Sequence, residues 1–133
     1  MELAARGQNQ AVDLNSFRDL PLPQGFRLLR IELVADPMLD AIGRPALAKA
    51  TIENRTIAIQ LAAGQTSEEM AVSIYHEVLE AMTIGVPFPP AAVRDFTEAA
   101  FEQAAKRAHR QHGLASKANV VIYLHEHGFE TSS

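Results

Sequence analysis

Between Thr66 and Pro87 the chain is written for one long helix. Thr66 is a favoured N-cap, and Glu69, three residues on, completes a capping box in which side chains and backbone N–H groups satisfy one another. Gly85 closes the run and Pro87 follows, so the spacing predicts a helix over about 67–84. At about 100° per residue, Met70, Ala71, Val72, Ile74, Tyr75, Val78, Leu79, Ala81 and Met82 fill a wide apolar arc. That arc is the core face, and its Met70, Ile74, Val78 and Met82 side is expected to lie on a sheet.

The material for a sheet precedes the helix. From Phe26 onward Leu29, Ile31 and Leu33 alternate with Arg30, Glu32 and Val34, the period of a half-buried strand. Asp36-Pro37 and Gly43-Arg44-Pro45 break the chain, and the segment between them reads as a loop. Residues 48–61 read as two short strands around a turn at Glu53-Asn54-Arg55, with Ile57, Ile59 and Leu61 on one face. Asn54 suits that turn because Asn tolerates the left-handed conformation.

After the helix, Phe88-Pro89-Pro90 forms a rigid connector, and a second, Ala-rich helix is expected over about 90–112, stopped by Gly113. Ser116 caps a possible third helix closed by Gly128 and Phe129, although Val120-Val121-Ile122-Tyr123 leaves a strand open. Two or three strands followed by two or three helices is an α+β order. Residues 1–25, rich in Gln, Asn, Gly and Pro and without a sustained period, read as a loosely ordered arm before a single domain over 26–133.

Composition narrows the chemistry. The 133 residues contain no cysteine, so disulfides and thiolate metal sites are excluded and any metal must use His and carboxylate ligands. Twelve Lys and Arg against sixteen Asp and Glu give a net charge of −4. The basic residues are scattered, which argues against nucleic acid or an anionic membrane as partner. Neither a signal peptide nor a membrane-length apolar run is evident, so a cytoplasmic location is expected.

On the polar face of the first helix stand Glu69, Ser73, His76, Glu80 and Thr83, with Glu77 at its edge. His76 and Glu80 lie one turn apart and can aim at one point. Imidazole nitrogen and carboxylate oxygen are both ordinary zinc ligands, so the pair can hold two corners of a tetrahedral site. Glu77, beside the metal, is placed to take a proton from water that the metal has made acidic.

This string, His76-Glu77-Val78-Leu79-Glu80, together with the preceding strand Ile57-Ala58-Ile59-Gln60-Leu61, resembles the small zincin-like metallopeptidase domains of bacteria and their phages. In those domains a strand pair precedes a helix bearing H-E-x-x-H and a long Ala-rich helix follows. The resemblance covers about residues 48–112 and implies a small zincin-like domain, a zinc cofactor and a peptide or protein substrate. It gives His76 the role of first metal ligand and Glu77 that of general base. Glu80 stands where the family has its second histidine, which changes charge, reach and preferred metal. A third ligand is expected from the second helix, where Asp95, Glu98, Glu102 and His109 share one side; Glu98 is preferred, being nearest the boundary of the buried face.

Plainer accounts exist for the same residues. A solvated polar face explains His76, Glu77 and Glu80, the helix dipole explains Asp95, Glu98 and Glu102, and the helix C-termini explain His109, His112, His125 and His127. Two functions follow: a metal-dependent hydrolase, or a non-catalytic interaction domain that keeps a zincin-like scaffold. The residue at position 80 is what separates them.

Overall fold

Asn54 and Arg55 both adopt positive φ, 52° and 65°, the pattern of a type I′ turn. They fold strand β5 (Ala48–Glu53) directly back along β6 (Thr56–Ala62), with Glu53 paired to Thr56 and Ala48 to Leu61. The computed structural model describes residues 12–35, 38–39, 43 and 45–129. Its architecture is α+β, a sheet followed by helices.

Four strands, not two or three, build the main sheet among the described residues. The order is β1 (Leu20–Pro21), β2 (Arg27–Val34), β6, β5. β2 runs parallel to β6 while both outer pairs are antiparallel. Ile57, Ile59 and Leu61 are fully buried, as their alternation predicts. The buried set on β2 differs from the expected one: Leu28 and Ile31 are inside, while Leu33 is exposed. A register shift between Leu28 and Arg30 explains it, because an extra residue in one strand moves the following side chains to the other face.

The segment expected as a loop after β2 contains a short antiparallel ladder, β3 (Met38–Leu39) with β4 (Pro45–Ala46), anchored by the buried Met38. The loosely ordered arm is also corrected over residues 12–25. There Asp13 caps a 3-10 turn, Leu14–Phe17, and Phe17, Leu20 and Leu22 are buried in the core. These apolar side chains are too sparse to show a period, yet each finds a place on the sheet. Residues 1–11 of the expected arm lie outside the described residues.

Helix α1 (Ser67–Gly85) begins with both bonds of the capping box, Thr66 N–H to Glu69 Oε1 at 2.8 Å and Glu69 N–H to Thr66 Oγ1 at 3.1 Å. Gly85 is its last helical residue and not a left-handed cap. Its lack of a side chain serves close packing, since a Cβ there would meet the Phe26 ring at 2.8 Å. Along its length α1 lies on β5 and β6, and its other flanks meet α2 (Glu98–His112) and α3 (Lys117–Glu126).

The second helix starts later than expected. Residues 90–96 are turns, with Val93 fully buried as their anchor, and Thr97 caps the helix by accepting from Ala100 N–H at 3.2 Å. A good N-cap so close to Glu98 decides the boundary over the fit of Pro90 to a first turn. Residues 117–126 are helical, closed by a Schellman motif: Gly128 N–H reaches His125 O, Phe129 N–H reaches Leu124 O, and the Phe129 ring is buried. None of the described helices is long and apolar enough to cross a membrane.

Candidate metal centre

The wheel of α1 sets His76 on the polar face, which the sequence leaves open to water. In the structure the part of that face around His76 is covered. Helix α2 packs across it on the buried side chains of Phe101, Ala104, Ala105 and Ala108, and His76 is only 7% exposed. Its ring does not enter the apolar core; it is enclosed between carboxylates, with the Phe101 ring 6.0 Å away.

Each ring nitrogen has its own carboxylate environment. Nδ1 lies 2.8 Å from Glu102 Oε1, a hydrogen bond. Nε2 lies 3.2 Å from Glu98 Oε2 and 3.6 Å from Glu80 Oε1. Neither of those contacts has hydrogen-bond geometry, so Nε2 is a buried polar atom without a hydrogen bond. Ligand atoms of His76, Glu80 and Glu98 all lie within 4.8 Å of one another, and among the described residues this is the one group of three that could hold a metal ion. The donor set fits such an ion: one imidazole and two carboxylates aimed at a common space, with a buried nitrogen that lacks a partner.

A cleft of about 290 Å³ is bordered by His76, Glu98 and Glu102, but not by Glu80. Pro45, Ala46, Leu47 and Ala48 form one wall, and Ser73, Glu77 and Glu98 stand on the other side. Gln65 braces the first wall, donating from its amide to Leu47 O at 3.0 Å and to Ala62 O at 2.9 Å. No protein-family model, curated protein or solved structure matches this chain.

The electrostatics follow from four carboxylates around one imidazole. Burial on its own would lower the His76 pKa, but the carboxylates of Glu80 and Glu102 beside its two nitrogens and the charges of Glu77 and Glu98 outweigh it and push it up to about 9. Burial foremost pushes the Glu77 carboxyl up to about 7; the neighbouring His76 opposes this, and Glu80, Glu98 and Glu102 add to it. Glu80 is held below the usual carboxylate range chiefly by the His76 ring beside it, and Glu98 is raised chiefly by Glu80.

The other residues singled out by sequence fall elsewhere. Asp95 is exposed in the turns before α2 and stands outside the group of three ligands. His109 Nε2 lies 3.9 Å from Glu68 Oε2, in a neighbouring cavity. His112 pairs with Glu126 at 3.0 Å, and His127 Nδ1 sits 3.0 Å from Tyr123 O. Glu102 is in the cluster, but on the opposite nitrogen from Glu80 and Glu98. The signal for that was present: Glu98 and Glu102 stand one helical turn apart, so a single residue of α1 can meet both. The wall at Pro45–Ala48 carried no signal that sequence reasoning could use.

Proposed function

We propose that this domain is a metal-dependent hydrolase, most simply a zincin-like peptidase, in which His76, Glu80 and Glu98 hold a zinc ion. The observation that carries the reading is the unbonded, buried Nε2 of His76 beside the carboxylates of Glu80 and Glu98, next to a cleft that His76 and Glu98 help to line. Zinc in such a site acts as a Lewis acid and makes water acidic, to a pKa of about 7.

The chain's own groups supply the rest. Glu77 borders the cleft beside His76, and a carboxyl pushed up to about 7 is suited to accept and return a proton near neutral pH. Helix α1, capped at its start and buried along one side, keeps His76, Glu77 and Glu80 in fixed relation. An extended peptide suits the cleft, because its wall leads into β5, the outer strand of the described sheet, and an outer strand leaves one row of backbone groups free to pair.

The test is zinc titration of metal-free protein together with a peptide-cleavage assay. Wild type should bind close to one equivalent, and Glu77→Ala should keep the metal while losing hydrolysis. A wild type that binds zinc no better than His76→Ala removes the reading.

One observation favours a non-catalytic domain instead. Glu98 and Glu102 together can neutralise a protonated His76, so the cluster can serve as an ion-pair network that clamps α1 to α2 without any metal. Full stability of metal-free protein, with no gain on adding zinc, supports that alternative.

A further inference from the structure

We propose that Glu102 is a positioning residue for the metal centre, resting on the metal-site reading above: by accepting Nδ1–H of His76 it leaves Nε2 as the coordinating nitrogen. A carboxylate only accepts, so the 2.8 Å contact requires the proton on Nδ1. With that proton in place a neutral imidazole has its lone pair on Nε2, the atom that faces Glu80 and Glu98. The opposite tautomer would put a hydrogen into the space where the ligand atoms converge.

Glu102 does not belong to the ligand group. The three converging ligand atoms come from His76, Glu80 and Glu98, and Glu102 approaches the ring from its far side. Its second oxygen, Oε2, has Lys106 Nζ at 4.0 Å, one turn further along α2. The Phe101 ring, tilted 43° to the imidazole, stands against His76 from the same helix. Residues 101 and 102 therefore fix the ring plane and its tautomer together, while Glu98, a turn earlier, reaches the other nitrogen. Imidazole ligands generally need such a partner, whose loss costs 10–100-fold in metal affinity.

Zinc titration calorimetry on metal-free protein compares wild type, Glu102→Gln and Glu102→Ala, with cobalt(II) absorption as a second readout and circular dichroism to confirm equal helix content. The stoichiometry should stay near one per chain throughout. Affinity should fall about 10–100-fold in Glu102→Ala, and less in Glu102→Gln, whose amide oxygen still accepts the Nδ1–H bond. The cobalt band shape should not change, because the ligands are the same. Equal affinity in wild type and Glu102→Ala overturns the proposal while leaving the metal site standing. A changed cobalt spectrum also overturns it, since Glu102 would then be a ligand. A wild type that binds no zinc overturns both readings. Should Glu102→Ala fail to fold, Glu102→Leu, which fills the space without an acceptor, decides alone: a loss of about 10-fold or more supports the proposal and equality with wild type ends it.

Discussion

Helix α1 is covered on two sides by opposite chemistries. Toward the sheet, Ile74, Val78 and Met82 are fully buried and join one apolar cluster with Ile57 and Ile59. Toward α2, His76 and Glu80 meet Glu98 and Glu102 across the helix pair. The first interface is what holds a domain together, since each buried aliphatic side chain contributes roughly 1.5–3 kcal/mol. The second brings several like charges around one imidazole and leaves a nitrogen unsatisfied, an arrangement poor for stability alone and suited to a site. One helix thus carries an apolar face and a charged, buried face.

The largest effect expected is on the sheet side. Val78→Asp buries an unpaired charge in the apolar cluster and should destabilise the domain by about 3–5 kcal/mol, read as a shift of the urea midpoint. An unchanged midpoint would mean the core face is misassigned.

On the α2 side the large effect is on binding. His76→Ala should lower zinc affinity by at least about 100-fold, or roughly 3 kcal/mol at 1.36 kcal/mol per tenfold, with a much smaller change in the midpoint than Val78→Asp. A His76→Ala variant as unstable as Val78→Asp would place His76 in the structural class.

The contrast also shows what a sequence discloses. The capping box of α1, the type I′ turn at Asn54-Arg55 and the Schellman end at Gly128-Phe129 depend on neighbours within a few residues, so local chemistry sets them. Burial on β2 departs from the alternation because the shift after Leu28 depends on pairing with β6, which no alternation encodes. The pair His76 and Glu80 is visible as one turn of helix, but its burial is not: a wheel cannot know that α2 will cross that face. For the same reason the four candidates on the second helix could not be sorted by which nitrogen of His76 they face. That follows from the approach of two helices, set by Phe101, Ala104 and Ala105.

A pH scan of metal-free protein sharpens the comparison further. His76 is pushed up to about 9 from an ordinary value near 6.5, so its contribution is complete below about 6.5 and lost as pH rises through 9. Glu77, raised to about 7, favours the fold while protonated and loses that advantage as pH rises from about 4.5 to 7. Both signs agree, so the melting midpoint should be higher near pH 5.5 than near pH 9.5. His76→Gln should flatten the part of the curve between about 6.5 and 9. A flat wild-type curve would show that the carboxylates do not hold the imidazolium. Zinc should reverse the slope, because it competes with a proton on His76 and binds more tightly as pH climbs toward 9.

The smallest expected effect is the most discriminating. Glu98 has a side chain 72% exposed, and its contact with His76 lies at the mouth of the cluster. Exposed ion pairs contribute about 0.2–1 kcal/mol, so Glu98→Gln should move the metal-free midpoint very little. If Glu98 is a ligand, the same substitution must weaken zinc binding markedly, since removing a charged donor from a three-residue set leaves two. A variant that matches wild type in the absence of metal and falls short only with zinc present therefore isolates coordination from folding. If Glu98→Gln weakens neither, the exposed carboxylate belongs to the solvated start of α2, and the ion would have to be held by α1 alone. If it weakens both equally, the pair with His76 is a structural clamp between α1 and α2, the reading in which no metal is needed.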